Sequence, residues 1–229
     1  MLDARNSPHA PPPRRRGRPP QNGLGAVNET DLLSLAFRTF AERGYEGTTL
    51  RELSKQLGIS HNLINVRFGK KAELWKRAVE WRLALASLAV TPAFDEVADD
   101  ETRLRHLIHR FCQWATEHPD IVGLTHVEGR RDTWRIDYIA ERFIVPFKRR
   151  LDTLVGRLAA QRPVANISTA ALMAILVQGV GYFFGAVPLQ RRIGAGDEVR
   201  PQNAPRQAAL MADFLLAGLL PQSGPTPPR

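Results

Sequence analysis

Side chains that can form directional hydrogen bonds are concentrated in the stretch SHNLINVRF, which runs from Ser60 to Phe68. Ile64 and Phe68 are spaced so that both lie on one face of a helix, which leaves imidazole, amide and guanidinium groups on the other face. Such a polar face has the size and the donor and acceptor groups that reading base edges in a major groove of DNA requires. The residues expected to face outward are His61, Asn62, Leu63, Asn65, Val66 and Arg67.

Three side chains with metal-binding groups follow one another at three-residue intervals, His106, His109 and Cys112. In a helix of 3.6 residues per turn, positions i and i+6 lie about 240° apart, so His106 and Cys112 cannot bind one ion. The remaining pair has too few ligands for a zinc site, and we predict no metal and no cofactor. The sequence contains no nucleophile–base–orienter set, phosphate loop or suitably spaced acid pair, which predicts that the chain is not an enzyme.

The densest positive charge lies in PPPRRRGRPP, Pro11 to Pro20, with four arginines and five prolines. Because proline removes backbone donors and fixes φ, we expect residues 1–27 to be an extended or disordered arm. Its Arg-Gly-Arg-Pro core resembles AT-hook motifs, whose arginines enter narrow A·T-rich minor grooves. An inert solubilising tail and a localisation signal are the alternatives. The candidate minor-groove residues are Arg14, Arg15, Arg16 and Arg18.

The net charge of +9 is concentrated toward the N-terminus. Residues 1–27 hold five arginines against one aspartate, and residues 28–85 hold ten basic against seven acidic residues. Clustered lysines and arginines gain free energy from counterion release on a phosphate backbone, so this part is expected to bind a polyanion. The apolar content of 43% is sufficient for a globular core. One cysteine and the absence of a signal peptide predict a cytoplasmic protein.

Helical periodicity accounts for the positions of these groups in the first third of the chain. Thr49 and Glu52 have the spacing of a capping box, Gly58 supplies a left-handed turn, and Ser60 caps the next helix. We predict helices over Glu29–Arg43, Leu50–Leu57, His61–Phe68 and Lys71–Leu85. The second and third form a helix-turn-helix, although an ordinary helical hairpin with a hydrated polar face would share much of this pattern.

The remainder of the chain is also predicted to be helical, because no stretch shows strand alternation. Pro146 interrupts one continuous apolar stripe without shifting its phase, which indicates a single kinked helix. The predicted helices run from about Leu104 to His118, from Pro119 toward Gly129, over Asp132–Gln161, from Ser168 to about Val187, and through Leu219 after a linker over Gln190–Asn203.

The segment Phe37 to Arg82, FRTFAERGYEGTTLRELSKQLGISHNLINVRFGKKAELWKRAVEWR, is similar to the DNA-binding segment of the TetR family of bacterial transcription regulators. It contains the family's F-x-E-x-G-Y-x-x-T-T start, G-[IV]-S turn and F-x-x-K-x-x-L exit. Asn65 departs from the family, which usually has an aromatic residue there, and its amide could instead pair with adenine. The resemblance implies base contacts from His61, Asn62, Leu63, Asn65 and Val66, and phosphate contacts from Thr49, Arg67 and Lys71.

The resemblance also implies an all-α architecture, in which a three-helix DNA-binding domain is joined by helix 4 to a helical ligand-binding and dimerisation domain. The expected divisions are a basic arm over 1–27, a DNA-binding domain over 28–72, a regulatory domain over 73–220 and a tail over 221–229. Family members usually dimerise through their last two helices, here about 169–187 and 206–219. Read alone, Ala170 to Leu189 could instead be a membrane span, because it is uncharged and contains Gly181-x-x-x-Gly185.

A small-molecule pocket among the middle helices is a further implication of the resemblance. Its candidate lining residues are Trp114, His126, Trp134, Tyr138, Phe143 and Gln178, although an aromatic residue of this kind is more often plain core than pocket lining. The function expected is that of a homodimeric repressor, released from a palindromic double-stranded DNA operator by an unknown small-molecule effector. An activator, a ligand-independent DNA binder and a membrane-anchored sensor are the alternatives.

Overall fold

The computed structural model describes residues 28–221, so the predicted minor-groove arm lies outside the described residues. The described part is helical and contains no strand, which confirms the all-α prediction. The first helices are α1 (Glu29–Arg43), α2 (Leu50–Gln56), α3 (His61–Phe68) and α4 (Lys71–Val90). A 3-10 turn, Thr91–Phe94, precedes α5 (Asp100–Glu117), α6 (Pro119–Glu128) and α7 (Trp134–Ile139). The chain continues through a π-helical segment (Ala140–Ile144), α8 (Val145–Ala159), α9 (Thr169–Ala174), a second π-helical segment (Ile175–Val180), α10 (Gly181–Gly185), α11 (Val187–Arg192) and α12 (Ala204–Leu219).

Local signals set the geometry of the helix-turn-helix. The Thr49 hydroxyl accepts from the Glu52 amide while the Glu52 carboxylate accepts from the Thr49 amide, which is the predicted capping box. Gly58 has φ of 65°, a conformation that only glycine adopts without a steric cost. The Ser60 side chain accepts from the Leu63 amide and starts α3. These three predictions are confirmed, and they fix the angle between α2 and α3.

A continuous apolar core joins this N-terminal head, residues 28–70, to the rest of the chain. Phe37 and Phe40 on α1 are fully buried, as are Ile64 on α3 and Trp75 on α4. α1 packs against both α4 and α6, so the head has no separate core of its own. α4 continues past its predicted end at Leu85 because its second half packs against α5. Movement of α4 would therefore displace residues of the head and of the α5 region together.

The long helix interrupted by Pro146 is continuous, as predicted, from Trp134 to Ala159. The π-helical segment Ala140–Ile144 lies immediately before the proline. Proline has no amide proton and its ring collides with the carbonyl four residues earlier, so a local change in hydrogen-bond register allows the helix to pass through it. The sequence predicted that the helix continues across Pro146 but did not predict its π-helical segment.

The uncharged stretch Ala170 to Leu189 is divided among several helical segments, and the chain leaves the helical conformation at Ala186 (φ −92°, ψ 42°) between α10 and α11. A Cβ added to Gly181 would approach Cγ2 of Val122 to 2.5 Å, so the first glycine of the Gly-x-x-x-Gly pattern allows α10 to pack closely on α6 within one chain. Among residues 28–221, no helix combines the length and the apolar character needed to cross a membrane. The predicted linker over Gln190–Asn203 is shorter in the structure, because α11 continues to Arg192. Pro188 lies in the first turn of α11, where its missing amide proton costs no helical hydrogen bond.

The three side chains of α5 that were considered as metal ligands each have a different environment. His106 Nδ1 lies 2.5 Å from a Glu96 carboxylate oxygen, and His109 Nε2 lies 3.1 Å from Oδ1 of Asp213. Cys112 is fully buried, and burial raises the pKa of its thiol to about 12. No group of three or more metal-binding side chains occurs in the described part of the chain.

Candidate nucleic-acid interface and apolar cavity

Helix α3 is held by one face and exposed on the other. Ile64 is fully buried and Phe68 nearly so, against Leu53 of α2 and the core of the head. The opposite face is open to solvent, and Val66 is 76% exposed although it is apolar. An apolar side chain on such a face can contact the methyl group of thymine. The predicted base-reading residues share this face: His61, Asn62 and Leu63 are exposed, and Asn65 is partly exposed beside them.

Asn65 is oriented by its neighbour one helical turn earlier. Its Nδ2 atom lies 3.0 Å from Nδ1 of His61, an interaction in which the amide donates when the imidazole proton is on Nε2. This bond uses only one of the two amide protons, so the second proton and the carbonyl oxygen are available for adenine. The His61 ring therefore reduces the rotamer freedom that Asn65 would lose on binding DNA.

Two cationic residues implied to contact phosphates lie at the two ends of the α3–α4 turn. Nη2 of Arg67 donates to Oε2 of Glu29 at 3.1 Å, in an exposed ion pair that contributes little to stability. Nζ of Lys71 lies 4.2 Å from the ring centroid of Tyr45. In addition, the first turn of α4 has no side-chain cap, so the amides of Lys71 and Ala72 are available to an anion, whereas that of Glu73 donates to the Lys70 carbonyl.

Thr49, the third implied phosphate contact, is engaged within the capping box. Its hydroxyl donates to Oε2 of Glu52 at 2.9 Å, and its amide donates to the same oxygen at 3.3 Å. A phosphate could accept from Thr49 only by displacing this carboxylate. Thr49 thus has a clear structural role, and contact with DNA remains a prediction.

Two of the aromatic residues considered as pocket lining lie instead against the head and α4. Trp134 packs edge-on against Trp75, with ring centroids 5.2 Å apart, and against Tyr45 at 5.7 Å. Tyr138 packs against Trp75 at 6.0 Å, and its hydroxyl donates to Glu80 of α4. Burial and this hydrogen bond raise the pKa of Tyr138 to about 12. The aromatic cluster connects α7 directly to α4 and to the loop before α2.

The two polar candidates for the pocket pair with each other at a different place. Nδ1 of His126 lies 3.0 Å from Oε1 of Gln178, and this contact joins α6 to the second π-helical segment at an exposed position. The His126 ring also lies 5.9 Å from that of Tyr182. These residues therefore form an interhelical contact outside the apolar cavity that α4 and α5 help to enclose.

This apolar cavity, of about 270 Å³, lies between the second half of α4, α5, the first π-helical segment and the α9 region. Two of the predicted lining residues, Trp114 and Phe143, belong to its wall. The indole nitrogen of Trp114 is buried and has no hydrogen-bond partner among residues 28–221. The apolar wall is completed by Leu83, Ala86, Val90, Phe111, Ile144, Pro146, Phe147, Met173, Leu176 and Val177.

Two arginines also line this cavity and were not among the predicted residues. Nη1 of Arg142 lies 2.9 Å from Oε1 of Glu80, and Nη2 of Arg150 lies 2.6 Å from Oδ1 of Asp95. The sequence analysis considered aromatic and neutral polar side chains as the lining. The spacing of these two arginines does not distinguish them from Arg149 and Arg157, which lie eight residues apart on the same helix.

Comparison with known proteins identifies the class of protein to which the N-terminal head is similar. Residues 32–78 match the family model described as bacterial regulatory proteins, tetR family. The uncharacterized HTH-type transcriptional regulator Rv1556 of Mycobacterium tuberculosis is 23% identical over 208 residues, which cover 90% of this chain and 95% of the relative. These matches confirm the resemblance and the prediction of a regulator rather than an enzyme.

Solved structures share the fold over most of the chain. PfmR, a TetR family transcriptional regulator from Thermus thermophilus, aligns with a TM-score of 0.62 and 22% identity, covering 87% of this chain and all of that structure. AibR, solved in complex with isovaleryl coenzyme A and operator DNA, aligns with a TM-score of 0.60 and 17% identity, covering 84% of this chain and 97% of that one. At these identities the likeness concerns the fold.

Proposed function

We propose that this chain, a member of the TetR family of bacterial regulators, is a homodimeric repressor that a small-molecule effector releases from a palindromic DNA operator. The observation that carries this proposal is the geometry of α3, whose inner face is fixed by Ile64 and Phe68 while its outer face presents hydrogen-bonding groups. A rigid helix with a polar outer face is the element that reads base edges in helix-turn-helix proteins. The proposed site of action is the cytoplasm, where the chromosome lies.

Within this proposal, α3 enters the major groove and His61, Asn62, Leu63, Asn65 and Val66 contact the base edges. Phosphates on either side bind Arg67, Lys71 and, after displacement of Glu52, Thr49. The positive charge of these side chains and the uncapped amides of α4 supply the part of the affinity that does not depend on base sequence.

The dimer is proposed from an apolar face shared by α12 and the second π-helical segment. Phe214 is 79% exposed, Leu210 is 53% exposed and Ile175 is 40% exposed. Leu210 and Phe214 lie one turn apart on α12. Ile175 and Phe214 line two shallow clefts of about 320 and 360 Å³, and Leu210 lines the second of them. A contiguous exposed apolar face is unfavourable in water and is relieved when a second copy of the chain covers it.

Two heads in such a dimer would bind successive major grooves, whose centres are about 34 to 36 Å apart. An effector in the cavity would favour a dimer whose heads are spaced differently, because α4 both lines the cavity and packs against α1 of the head. The aromatic cluster of Tyr45, Trp75, Trp134 and Tyr138 supports this route, since it packs α7 against both α4 and the head. AibR, with the same fold, binds both operator DNA and a small molecule.

The basic arm is proposed to add a minor-groove contact beside each head. Arg14, Arg15, Arg16 and Arg18 would then contribute to binding through phosphates and the negative potential of the groove. Deletion of residues 1–20 should flatten the slope of log K against log salt concentration by up to about 3.6, because each phosphate contact contributes about 0.9. An unchanged slope and affinity would make the arm a tail without a DNA-binding role.

Genomic footprinting of the full-length chain tests the function most directly. The expected result is a short palindrome with two half-sites about one helical turn apart, bound by two copies of the chain. Broad coverage without a palindrome would contradict the proposal and favour a ligand-independent DNA binder. Transcription from the identified promoter should rise when the gene for this protein is deleted, whereas an activator would produce a fall.

A further inference from the structure

The cavity has an unusual distribution of polar groups for a space enclosed by helices. Its wall is mainly aliphatic and aromatic, and its only charged lining residues within the described part of the chain are Arg142 and Arg150. Both are partly open to solvent, with 58% and 39% of their side chains exposed, so they lie where the cavity meets the surface. An apolar interior with cations at its opening has the polarity of a binding site for an amphiphile.

Each arginine is positioned by an aromatic ring and a carboxylate. The Arg142 guanidinium carbon lies 5.0 Å from the Tyr138 ring centroid, and that of Arg150 lies 4.5 Å from the ring of Phe94. Their carboxylate partners are Glu80 and Asp95, which are 40% and 74% exposed. Exposed ion pairs of this kind are weak, so a ligand anion can replace either carboxylate at a small cost.

We propose that this cavity binds an anionic amphiphile, whose apolar acyl chain lies among the helices and whose anionic head group binds Arg142, and also Arg150 where the head group carries several anionic groups. The inference rests on the proposed function, in which the cavity is the effector site. The cavity volume of about 270 Å³ is near the lower end of the range for ligand pockets, which favours a chain of medium length. The guanidinium fork matches a carboxylate or a phosphate better than it matches a neutral group.

The spacing of the two arginines distinguishes two sources of such an anion. Their backbones are eight residues apart on one helix, or about 12 Å along its axis. A single carboxylate fits one guanidinium fork, whereas the several phosphates of a coenzyme A thioester can reach both. Free carboxylate and thioester therefore share the apolar chain but differ in their need for Arg150.

Exchange of partners at Arg142 connects ligand binding to α4. Glu80 accepts from both Arg142 and the Tyr138 hydroxyl, so it joins α4 to the cavity wall. When a ligand anion takes Arg142, Glu80 loses its cationic partner and retains only the tyrosine. The contact that Glu80 makes between α4 and the helix interrupted by Pro146 is then weakened.

Calorimetric titration of the full-length chain with sodium octanoate, octanol and octanoyl-coenzyme A tests the proposal. Octanol has the same chain length as octanoate but no charge. We expect at least one anionic probe to bind about tenfold or more tightly than octanol, the difference supplied by a charged hydrogen bond. Arg142→Gln should remove this difference without weakening the binding of octanol.

Arg149→Gln is the matched control, because Arg149 is exposed on the same helix and does not line the cavity. It should leave all three affinities unchanged. Arg150→Gln should weaken octanoyl-coenzyme A if the thioester is the natural class, and should leave octanoate unchanged if the free acid is. Equal affinity for octanol and both anions, no binding of either anion, or equal losses in Arg142→Gln and Arg149→Gln would overturn the proposal.

Operator binding, measured on the same preparations without ligand, separates the two claims. If neither anionic probe binds while the chain still occupies its palindrome, the proposed ligand class is wrong and the proposed DNA-binding function is supported. If the anions bind with the expected dependence on Arg142 but no operator is found, the cavity assignment stands and the repressor function fails.

Discussion

Nε of Arg135 donates to Oε2 of Glu128 at 2.9 Å, and this ion pair is almost completely buried where α6 meets α7. The same guanidinium lies 4.6 Å from the ring centroid of Tyr45 and 3.6 Å from a carboxylate oxygen of Glu46. Arg135 therefore joins α6 and α7 to the loop between α1 and α2. Its ion pair with Glu128 is buried, whereas the ion pairs of Arg142 and Arg150 at the cavity opening are exposed. Its charge therefore holds α6 and α7 against the head.

Replacement of Arg135 by methionine should strongly destabilise the protein, because Glu128 would keep a buried charge without its partner. The expected loss in the free energy of unfolding is about 3 to 5 kcal/mol, measured by urea denaturation. The double variant Arg135→Met/Glu128→Met should recover most of this loss, and Arg149→Met, at an exposed position, should change stability by less than about 0.5 kcal/mol. A double variant as unstable as the single one would show that packing, and not the unpaired charge, is responsible.

Asn65 and Lys71 should have different effects on DNA recognition. Asn65→Ala should lose about 1 to 3 kcal/mol of discrimination at one base pair of each half-site, because its amide would no longer pair there. Lys71→Ala should weaken binding to all sequences alike and reduce the salt slope by about 0.9 for each head. Binding to a panel of single-base operator variants at several salt concentrations measures both. Uniform losses from both variants would mean that Asn65 does not read a base.

Phe214 should be essential for dimer formation. Phe214→Asp places a charge in the proposed apolar interface, and analytical ultracentrifugation should find a monomer at concentrations where the parent is a dimer. Leu88→Asp is the control, since Leu88 is 72% exposed but lies on α4, outside the α12 face. A dimer that persists in Phe214→Asp, or one that Leu88→Asp also disrupts, would contradict the proposed interface.

His118 should make stability depend on pH. Nη2 of Arg82 lies 3.0 Å from Nδ1 of His118, and the arginine also donates twice to Asp120. The pKa of His118 is lowered below its usual value of 6.5, mainly by burial and to a smaller extent by the nearby charge of Arg82. The unfolded chain therefore binds the proton more readily, so the stability that His118 contributes is complete above pH 6.5 and falls as the pH decreases toward the folded-state pKa.

His118→Gln should remove this part of the pH dependence, because the glutamine oxygen can accept from Arg82 without titrating. Urea denaturation from neutral to mildly acidic pH should give a flatter curve for the variant than for the parent. His61→Gln, at an exposed histidine on α3 whose ring lies beside the neutral amide of Asn65, serves as the comparison. Parallel curves for the parent and His118→Gln would refute the assignment.

The head could be predicted from sequence because its determinants are local. The capping box at Thr49, the left-handed Gly58 and the cap at Ser60 each require residues only a few positions apart. The periodicity of Ile64 and Phe68 then identifies the outer face of α3, whatever lies against the inner one.

The cavity could not be predicted in the same way, because its walls come from helices distant in sequence. Trp134 and Tyr138 have the apolar character of lining residues, but only the packing of α7 against Trp75 determines which space they fill. Arg142 has the character of a solvated residue and its side chain is 58% exposed, but it also lines the opening of the cavity from within the π-helical segment. Periodicity assigns a side chain to a face of its helix and does not identify the neighbour.

Cys112 is the one cysteine of the sequence, and its full burial and raised pKa leave almost no reactive thiolate at neutral pH. A cysteine introduced on the exposed surface of the head, for example by Arg38→Cys, would consequently be the only thiol that a nitroxide reagent modifies in the folded protein. A homodimer would then carry one spin label on each head. Pulsed dipolar spectroscopy of that sample would give the separation of the two heads as a distance distribution, with and without a ligand.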